Sequence, residues 1–217
     1  METGTLFALQ AQQNLGFPKP LTEEYRPVWI ADFCGLEKQK RVLSALVAAP
    51  RCVNLLFKGS PGTGKSSMAV AFANELCAQI WHVGANAKID QIEEVIHHCH
   101  YIPKRGLRGF HVVVCDEIET ASPAVRAYLL SKMDCASPVP NTIFIFTSNE
   151  TELEEKFESR CIKLDFNSYG AGDAIANLLA RVWTAKAGNA PAPNFKKLAC
   201  GNVRESLQRL EVELLAA

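Results

Sequence analysis

Short apolar runs recur along the chain, and segments with helical spacing lie between them. Val53-Asn54-Leu55-Leu56-Phe57, Ile80-Trp81-His82-Val83, His111-Val112-Val113-Val114-Cys115 and Thr142-Ile143-Phe144-Ile145-Phe146 read as buried strands. Cys161 to Phe166 alternates apolar and polar residues, the mark of a strand with one exposed face. Between them the spacing predicts helices over Leu36–Val47, closed by Pro50, and over Ser67–Ala78, Ile89–His98 and Pro123–Met133. Strands that alternate with helices predict a parallel sheet with helices on both faces. After Phe166 the pattern changes. Asn167-Ser168-Tyr169-Gly170 reads as a turn, and the rest is helical to the end. Asn202 with Glu205 forms a capping-box pair, followed by Val203, Leu207, Leu210 and Leu214 at helical spacing. The pattern therefore predicts a polar tail over 1–20, an α/β domain over 21–167 and a small helical domain over 168–217.

Composition narrows the class. The chain has 217 residues, 48% of them apolar, enough for a sizeable core. Its 23 basic and 23 acidic side chains balance, so any nucleic-acid surface must be local. The nearest basic patch is Lys104, Arg105 and Arg108 in a glycine-bearing turn. No stretch is apolar enough to span a membrane, and Met1-Glu2-Thr3 does not begin a secretory signal. The expectation is a cytoplasmic protein, or a nuclear one in a eukaryote. None of the eight cysteines forms a C-x-x-C pair, which argues for free thiols rather than a zinc ribbon. His97, His98, Cys99 and His100 cluster, but on a helix only His97 and His100 share a face, so they read as a polar helix end.

Chemistry enters at the strand ends. Gly59-Ser60-Pro61-Gly62-Thr63-Gly64-Lys65-Ser66 fits the phosphate-loop pattern G-x-x-x-x-G-K-S/T between the first strand and the next helix. The glycines let backbone N–H groups curl toward phosphate oxygens. Lys65 supplies positive charge for the β and γ phosphates, and the Ser66 hydroxyl suits Mg²⁺. The third strand ends in Asp116 and Glu117. Two carboxylates at the end of an apolar strand are costly unless a cation lies near. Asp116 is placed to hold Mg²⁺, and Glu117 to orient or deprotonate an attacking water. The fourth strand ends at Asn149, whose amide can bond the γ-phosphate or that water.

These pieces resemble the AAA+ ATPases, and among them the clamp-loader group of replication factor C small subunits and bacterial DNA polymerase III gamma-tau-like subunits. Tyr25-Arg26-Pro27 followed by Asp32-Phe33-Cys34-Gly35 is similar to the group's opening segment. Residues 59–66 and 112–117 match Walker A and Walker B, and Asp116-Glu117-Ile118-Glu119 stands where D-E-A-D is usual. In the helix that follows, Arg126 falls where the group has Gln. Asn149 matches sensor 1, Ser159-Arg160-Cys161 matches the S-R-C motif, and Gly201-Asn202-Val203-Arg204 resembles sensor 2.

The resemblance implies a P-loop NTPase three-layer sandwich with a five-stranded parallel sheet, followed by an all-helical lid. It implies ATP and Mg²⁺ as cofactors. Tyr25, Arg26 and Gly35 would line the adenine pocket; Gly59, Pro61, Gly62, Thr63, Gly64, Lys65, Ser66 and Ser67 would hold the phosphates. Ser66 and Asp116 would hold the metal. Lys65, Glu117, Asn149, Arg204 and, from a neighbouring subunit, Arg160 would perform hydrolysis.

Implied partners are copies of the chain or related AAA+ subunits, with a sliding clamp and primer-template DNA beyond them. The implied work is loading or remodelling a protein on DNA during replication. The sequence departs from the group in lacking a helical collar domain after sensor 2 and a zinc module between the Walker motifs. That leaves a truncated chain, or a minimal relative assembling through its ATPase faces or a partner. The missing collar also suits an AAA+ regulator of a mobile element; an ATP-dependent scaffold with little hydrolysis is the other alternative.

Overall fold

A computed structural model describes residues 18–84, 86–103, 109–134, 139–149, 153–167, 172–188 and 190–217. The tail up to residue 17 lies outside them, as do the basic turn at Lys104, Arg105 and Arg108 and most of the turn after Asn167. In chain order the elements are α1 (Leu21–Glu24), α2 (Glu37–Ala48), β1 (Val53–Lys58), α3 (Lys65–Glu75) and β2 (Gln79–Val83). Then come α4 (Ile89–Cys99), β3 (His111–Cys115), α5 (Pro123–Met133), β4 (Thr142–Ser148), α6 (Glu155–Glu158) and β5 (Ile162–Asp165). The chain closes with α7 (Gly172–Lys186), α8 (Phe195–Leu198) and α9 (Val203–Ala216). Short 3₁₀ turns cover Ile30–Asp32 and Ile118–Thr120.

The five strands form one sheet in the order β2-β3-β4-β1-β5, with every neighbouring pair parallel. Period-two alternation distributes the apolar runs over two faces. Leu55, Phe57, Val112, Val114, Ile143 and Ile145 point to the layer built by α2 and α3. Leu56, Val113, Cys115, Phe144 and Phe146 point to the layer of α4, α5 and α6. Burial on both faces explains the unbroken apolar runs Val112–Cys115 of β3 and Ile143–Phe146 of β4. At the edge, β5 buries only Leu164.

A third apolar cluster joins Ile175, Leu179, Val182 and Trp183 of α7 to Leu207 and Leu210 of α9. Leu21 of α1 belongs to this cluster, so α1 packs with the C-terminal helices although it precedes the sheet. Its backbone N–H donates to Glu211 (3.3 Å), and Glu24 pairs with Lys186 (2.6 Å). The Asn202 side chain caps α9 by accepting from the Glu205 N–H, as the pair in the sequence predicts.

The histidine cluster divides. His98 stacks on Trp81 (5.2 Å between ring centroids), Cys99 is buried, and His100 Nδ1 meets the Ile96 carbonyl. No group of three or more metal-binding side chains occurs among the described residues. The seven described cysteines are free thiols. Burial pushes Cys99 up to about 11 and Cys161 up to about 12, which leaves them unreactive. Among the described residues no helix is long and apolar enough to cross a membrane.

Candidate active site

Strand register sets the site. Lys58 of β1 pairs with Ser148 of β4, and Cys115 of β3 pairs with Phe146. The carboxyl ends of β1, β3 and β4 therefore finish nearly level, and the loops after them meet. Because β1 lies between β4 and β5 while β2 lies two strands beyond β4, the chain reverses direction across the sheet here, the usual crevice for ligands.

The phosphate loop runs from β1 into α3. Gly62 and Gly64 adopt left-handed backbone angles (φ 77° and 96°). A Cβ at Gly62 would collide with the Asn202 side chain, and one at Gly64 would press on the Phe33 ring at 3.1 Å. Glycine is therefore required by both angle and space. α3 is held on the sheet by buried Met68, Ala69 and Phe72, which aims its free N–H groups into the loop.

Lys65, the first residue of α3, is 7% exposed. Its ammonium donates to the carbonyls of Gly59 (2.6 Å) and Ser60 (2.9 Å) and to Asn149 Oδ1 (2.8 Å). Burial pushes its pKa below the ordinary lysine value. Glu119, then Glu117, oppose that shift, while Arg204 adds to it. The Ser66 hydroxyl donates to Asp116 Oδ1 (2.7 Å), and Thr147 Oγ1 donates to the same oxygen (3.0 Å). A hydroxyl beside a carboxylate is the hard oxygen donor set that Mg²⁺ prefers, so Ser66 and Asp116 fit the metal.

Glu117 takes a left-handed conformation (φ 52°, ψ 52°), which costs a non-glycine residue about 1–2 kcal/mol. Its N–H donates to Thr147 Oγ1 (3.0 Å), and Asn149 Nδ2 donates to its carboxylate (3.4 Å). The structure thus brings Lys65, Ser66, Asp116, Glu117 and Asn149 into one hydrogen-bonded set.

A cavity of about 330 Å³ opens over this set. On one side lie Pro61, Gly62, Thr63, Gly64 and Ser67 of the loop and helix start. On the other lie Tyr25, Arg26, Leu178, Val203 and Leu207, with Arg204 beside them. One end is therefore polar and rich in N–H donors, and the other offers apolar walls for a base. Arg26 Nε donates to Ser67 Oγ (3.2 Å).

Two residues expected in the pocket stand back from its lining. Gly35 lies between Cys34 and Leu36, which do line it, and Gly59 lines a second recess shared with Lys38, Lys163 and Asn149. Arg160 lines neither cavity. Its Nε donates to Asp134 Oδ1 (2.6 Å) and its Nη1 to the Lys156 carbonyl (2.8 Å), on the surface before β5.

Three further residues contribute contacts that sequence reasoning did not assign to the site. Thr147 bridges Asp116 and Glu117, and the parallel pairing of β3 with β4 is the signal that would have found it. Asn167 Oδ1 accepts from both the N–H (3.1 Å) and the hydroxyl (3.2 Å) of Ser60. Asn202 Nδ2 donates to the Pro61 carbonyl (3.0 Å), so the cap of α9 also touches the phosphate loop.

Comparison with known proteins agrees with this geometry. Residues 55–167 match the family "ATPase family associated with various cellular activities (AAA)". The chain is 31% identical over 153 residues to a Replication factor C small subunit of Thermoplasma acidophilum, covering 67% of this chain and 48% of that protein. It is 29% identical over 165 residues to one from Methanocella arvoryzae, covering 72% and 51%. The chain thus spans about half the length of these relatives. Among solved structures, the Thermotoga maritima RuvB Holliday junction branch migration motor superposes with a TM-score of 0.69 at 21% identity, over 89% of this chain and 68% of that one. At that identity the likeness concerns the fold. The phosphate loop, the paired carboxylates and the family match lead to one conclusion: the chain belongs to the AAA family of ATPases and resembles clamp-loader subunits.

Proposed function

We propose that the chain hydrolyses ATP with Mg²⁺ at interfaces between like or related subunits, and so drives loading or remodelling of a protein on DNA in replication. The nucleotide lies between an α/β domain (21–167) and a helical lid (168–217), with α1 packed on the lid. The loop N–H groups and Lys65 bind the β and γ phosphates; Tyr25 and Arg26 border the base, with Gly35 behind Cys34 and Leu36. Ser66 and Asp116 hold Mg²⁺, which when bound would neutralise phosphate charge. Glu117 accepts a proton from the attacking water, and Asn149 orients that water. Arg204 reports the nucleotide to the lid of its own chain. Arg160 acts on the ATP of a neighbour.

One observation carries this reading: the two arginines are divided. Arg204 lines the cavity of its own chain, whereas Arg160 does not and is presented on the surface. The relatives named Replication factor C small subunit favour clamp loading, with a sliding clamp and primer-template DNA as partners.

Complementation tests the reading. Lys65→Ala and Arg160→Ala chains are each expected to be inactive, and mixing them should restore turnover, because one supplies an intact pocket and the other an intact arginine. A mixture as inactive as its components, from chains shown to co-assemble, overturns the trans site. Stimulation of turnover by primed DNA plus a clamp tests the proposed work.

A further inference from the structure

Glu119 has no role in the scheme above, yet it is built into the site. It sits in the 3₁₀ turn Ile118–Thr120, three residues after Asp116. Its Oε1 accepts the backbone N–H of Asn149 (2.9 Å). Its Oε2 is shut off from solvent and has no hydrogen-bond partner among the described residues. Its backbone carbonyl accepts from Arg126 Nη1 (3.1 Å), and Arg126 Nε faces Glu154 Oε1 (3.4 Å). Glu119 thus joins the turn after β3 to the end of β4, and Arg126 braces that turn from α5.

The placement matters because β4 ends at Ser148. A bond from the Gly59 N–H to the Ser148 carbonyl (3.2 Å) ties the end of β4 to the phosphate loop. Beyond it, the Asn149 N–H is met by the Glu119 side chain. The Asn149 side chain is engaged with Lys65 and Glu117. Where its amide sits therefore follows from where its backbone is fixed. A neutral acceptor would satisfy one N–H without leaving a buried carboxylate oxygen bare, an arrangement that costs stability.

We propose that Glu119 is a positioning residue for ATP hydrolysis, fixing Asn149 through its backbone N–H so that the amide meets the attacking water. This rests on the reading of Asn149 as the residue that orients water. A displacement of about 1 Å in a positioning group costs on the order of 10²-fold in rate.

The experiment compares Glu119→Asp, Glu119→Gln and Asn149→Ala, and the Glu119→Asp/Asn149→Ala double variant, in the full chain. Steady-state phosphate release gives kcat and KM, and a fluorescent ATP analogue gives nucleotide Kd. Glu119→Asp keeps the charge but withdraws the oxygen; kcat should fall about tenfold to hundredfold, with KM and Kd changed less than about threefold. Glu119→Gln keeps an acceptor and should recover kcat to within about threefold of the parent. The double variant should be no slower than Asn149→Ala alone, because both changes remove one function.

A parental kcat in Glu119→Asp beside an impaired Asn149→Ala overturns the role of Glu119 alone. A Glu119→Gln as slow as Glu119→Asp, or multiplicative losses in the double variant, also overturns it. A parental kcat in Asn149→Ala overturns the underlying reading of Asn149, and this inference with it.

Discussion

The two ends of the sheet treat their charged residues differently. At the carboxyl ends of β1, β3 and β4, Lys65, Ser66, Asp116, Glu117, Thr147 and Asn149 form one hydrogen-bonded network across three strands, and Lys65 is buried. Before the amino end of β5, Arg160 is held by one exposed carboxylate and one carbonyl. Buried, mutually satisfied groups fix a geometry that needs no second chain. A surface ion pair is worth only about 0–1 kcal/mol, so its arginine can exchange one acceptor for another at little cost. The first arrangement suits a preformed pocket, and the second suits a group delivered elsewhere.

The largest expected effects fall on the preformed side. Lys65→Ala removes the cation that links the loop carbonyls to Asn149 and should abolish detectable ATP binding and turnover. Equilibrium binding of a fluorescent ATP analogue checks this, and parental affinity in the variant would remove Lys65 from the phosphate site. Glu117→Gln keeps the shape but loses the proposed base, so turnover should fall about 10²- to 10⁴-fold while nucleotide binding persists.

Next in size is a change on the Arg160 side. Asp134→Asn weakens the hold on Arg160 without touching the pocket. Because that pair is worth only about 0–1 kcal/mol, turnover of the assembled protein should change by no more than about fivefold, with nucleotide affinity of the isolated chain unchanged. An equal change in affinity would mean that the two ends are coupled within one chain, and the contrast between them would fail. Thr147→Val probes the pocket at similar scale. It strips a bridging hydroxyl and leaves the Glu117 N–H without its acceptor, for a cost of about 1–3 kcal/mol in thermal or urea unfolding.

Much of this was legible in the chain. Apolar runs such as Val112-Val113-Val114 announced strands buried on both faces, and the loop from Gly59 to Ser66 announced its ligand by residue type and spacing. Pro123 to Met133 forms the predicted helix, capped by Ser122. What stayed hidden depends on pairing rather than pattern. Thr147 reads as one more polar residue at a strand end until β3 and β4 are set in register beside each other. Leu21 is apolar in a short helix, and nothing local says that its partners lie in α7 and α9 rather than in the sheet. Glu119 and Arg126 are of the same kind, since their contacts join turns far apart in sequence.

The smallest effect concerns what anchors the β5 edge near Arg160. Glu158 accepts from Lys58 (2.7 Å), from the Leu153 N–H (3.1 Å) and from Lys163 (3.1 Å), so it ties β1 and β5 to the segment before α6. The bond from Lys58, then that from Leu153, holds its carboxyl down from the ordinary 4.5 to about 2. A carboxylate with a depressed folded-state pKa stabilises the fold fully above its unfolded value and loses that contribution as pH falls through the folded one. The window therefore runs from about pH 4.5 down to about 2. Solvent screens the lysines, so the contribution is about 1 kcal/mol. Glu158→Gln should lower the urea midpoint at pH 7, and the gap to the parent should narrow steadily as pH is taken from 5 toward 3. Glu158 itself does not line the cavity, although Lys58 directly precedes the phosphate loop, so nucleotide affinity at pH 7 should change by less than about threefold. A gap that stays constant across that pH range would show that Glu158 acts through packing rather than charge, and that the β5 edge is held as the pocket is, by fixed contacts rather than by exchangeable ones.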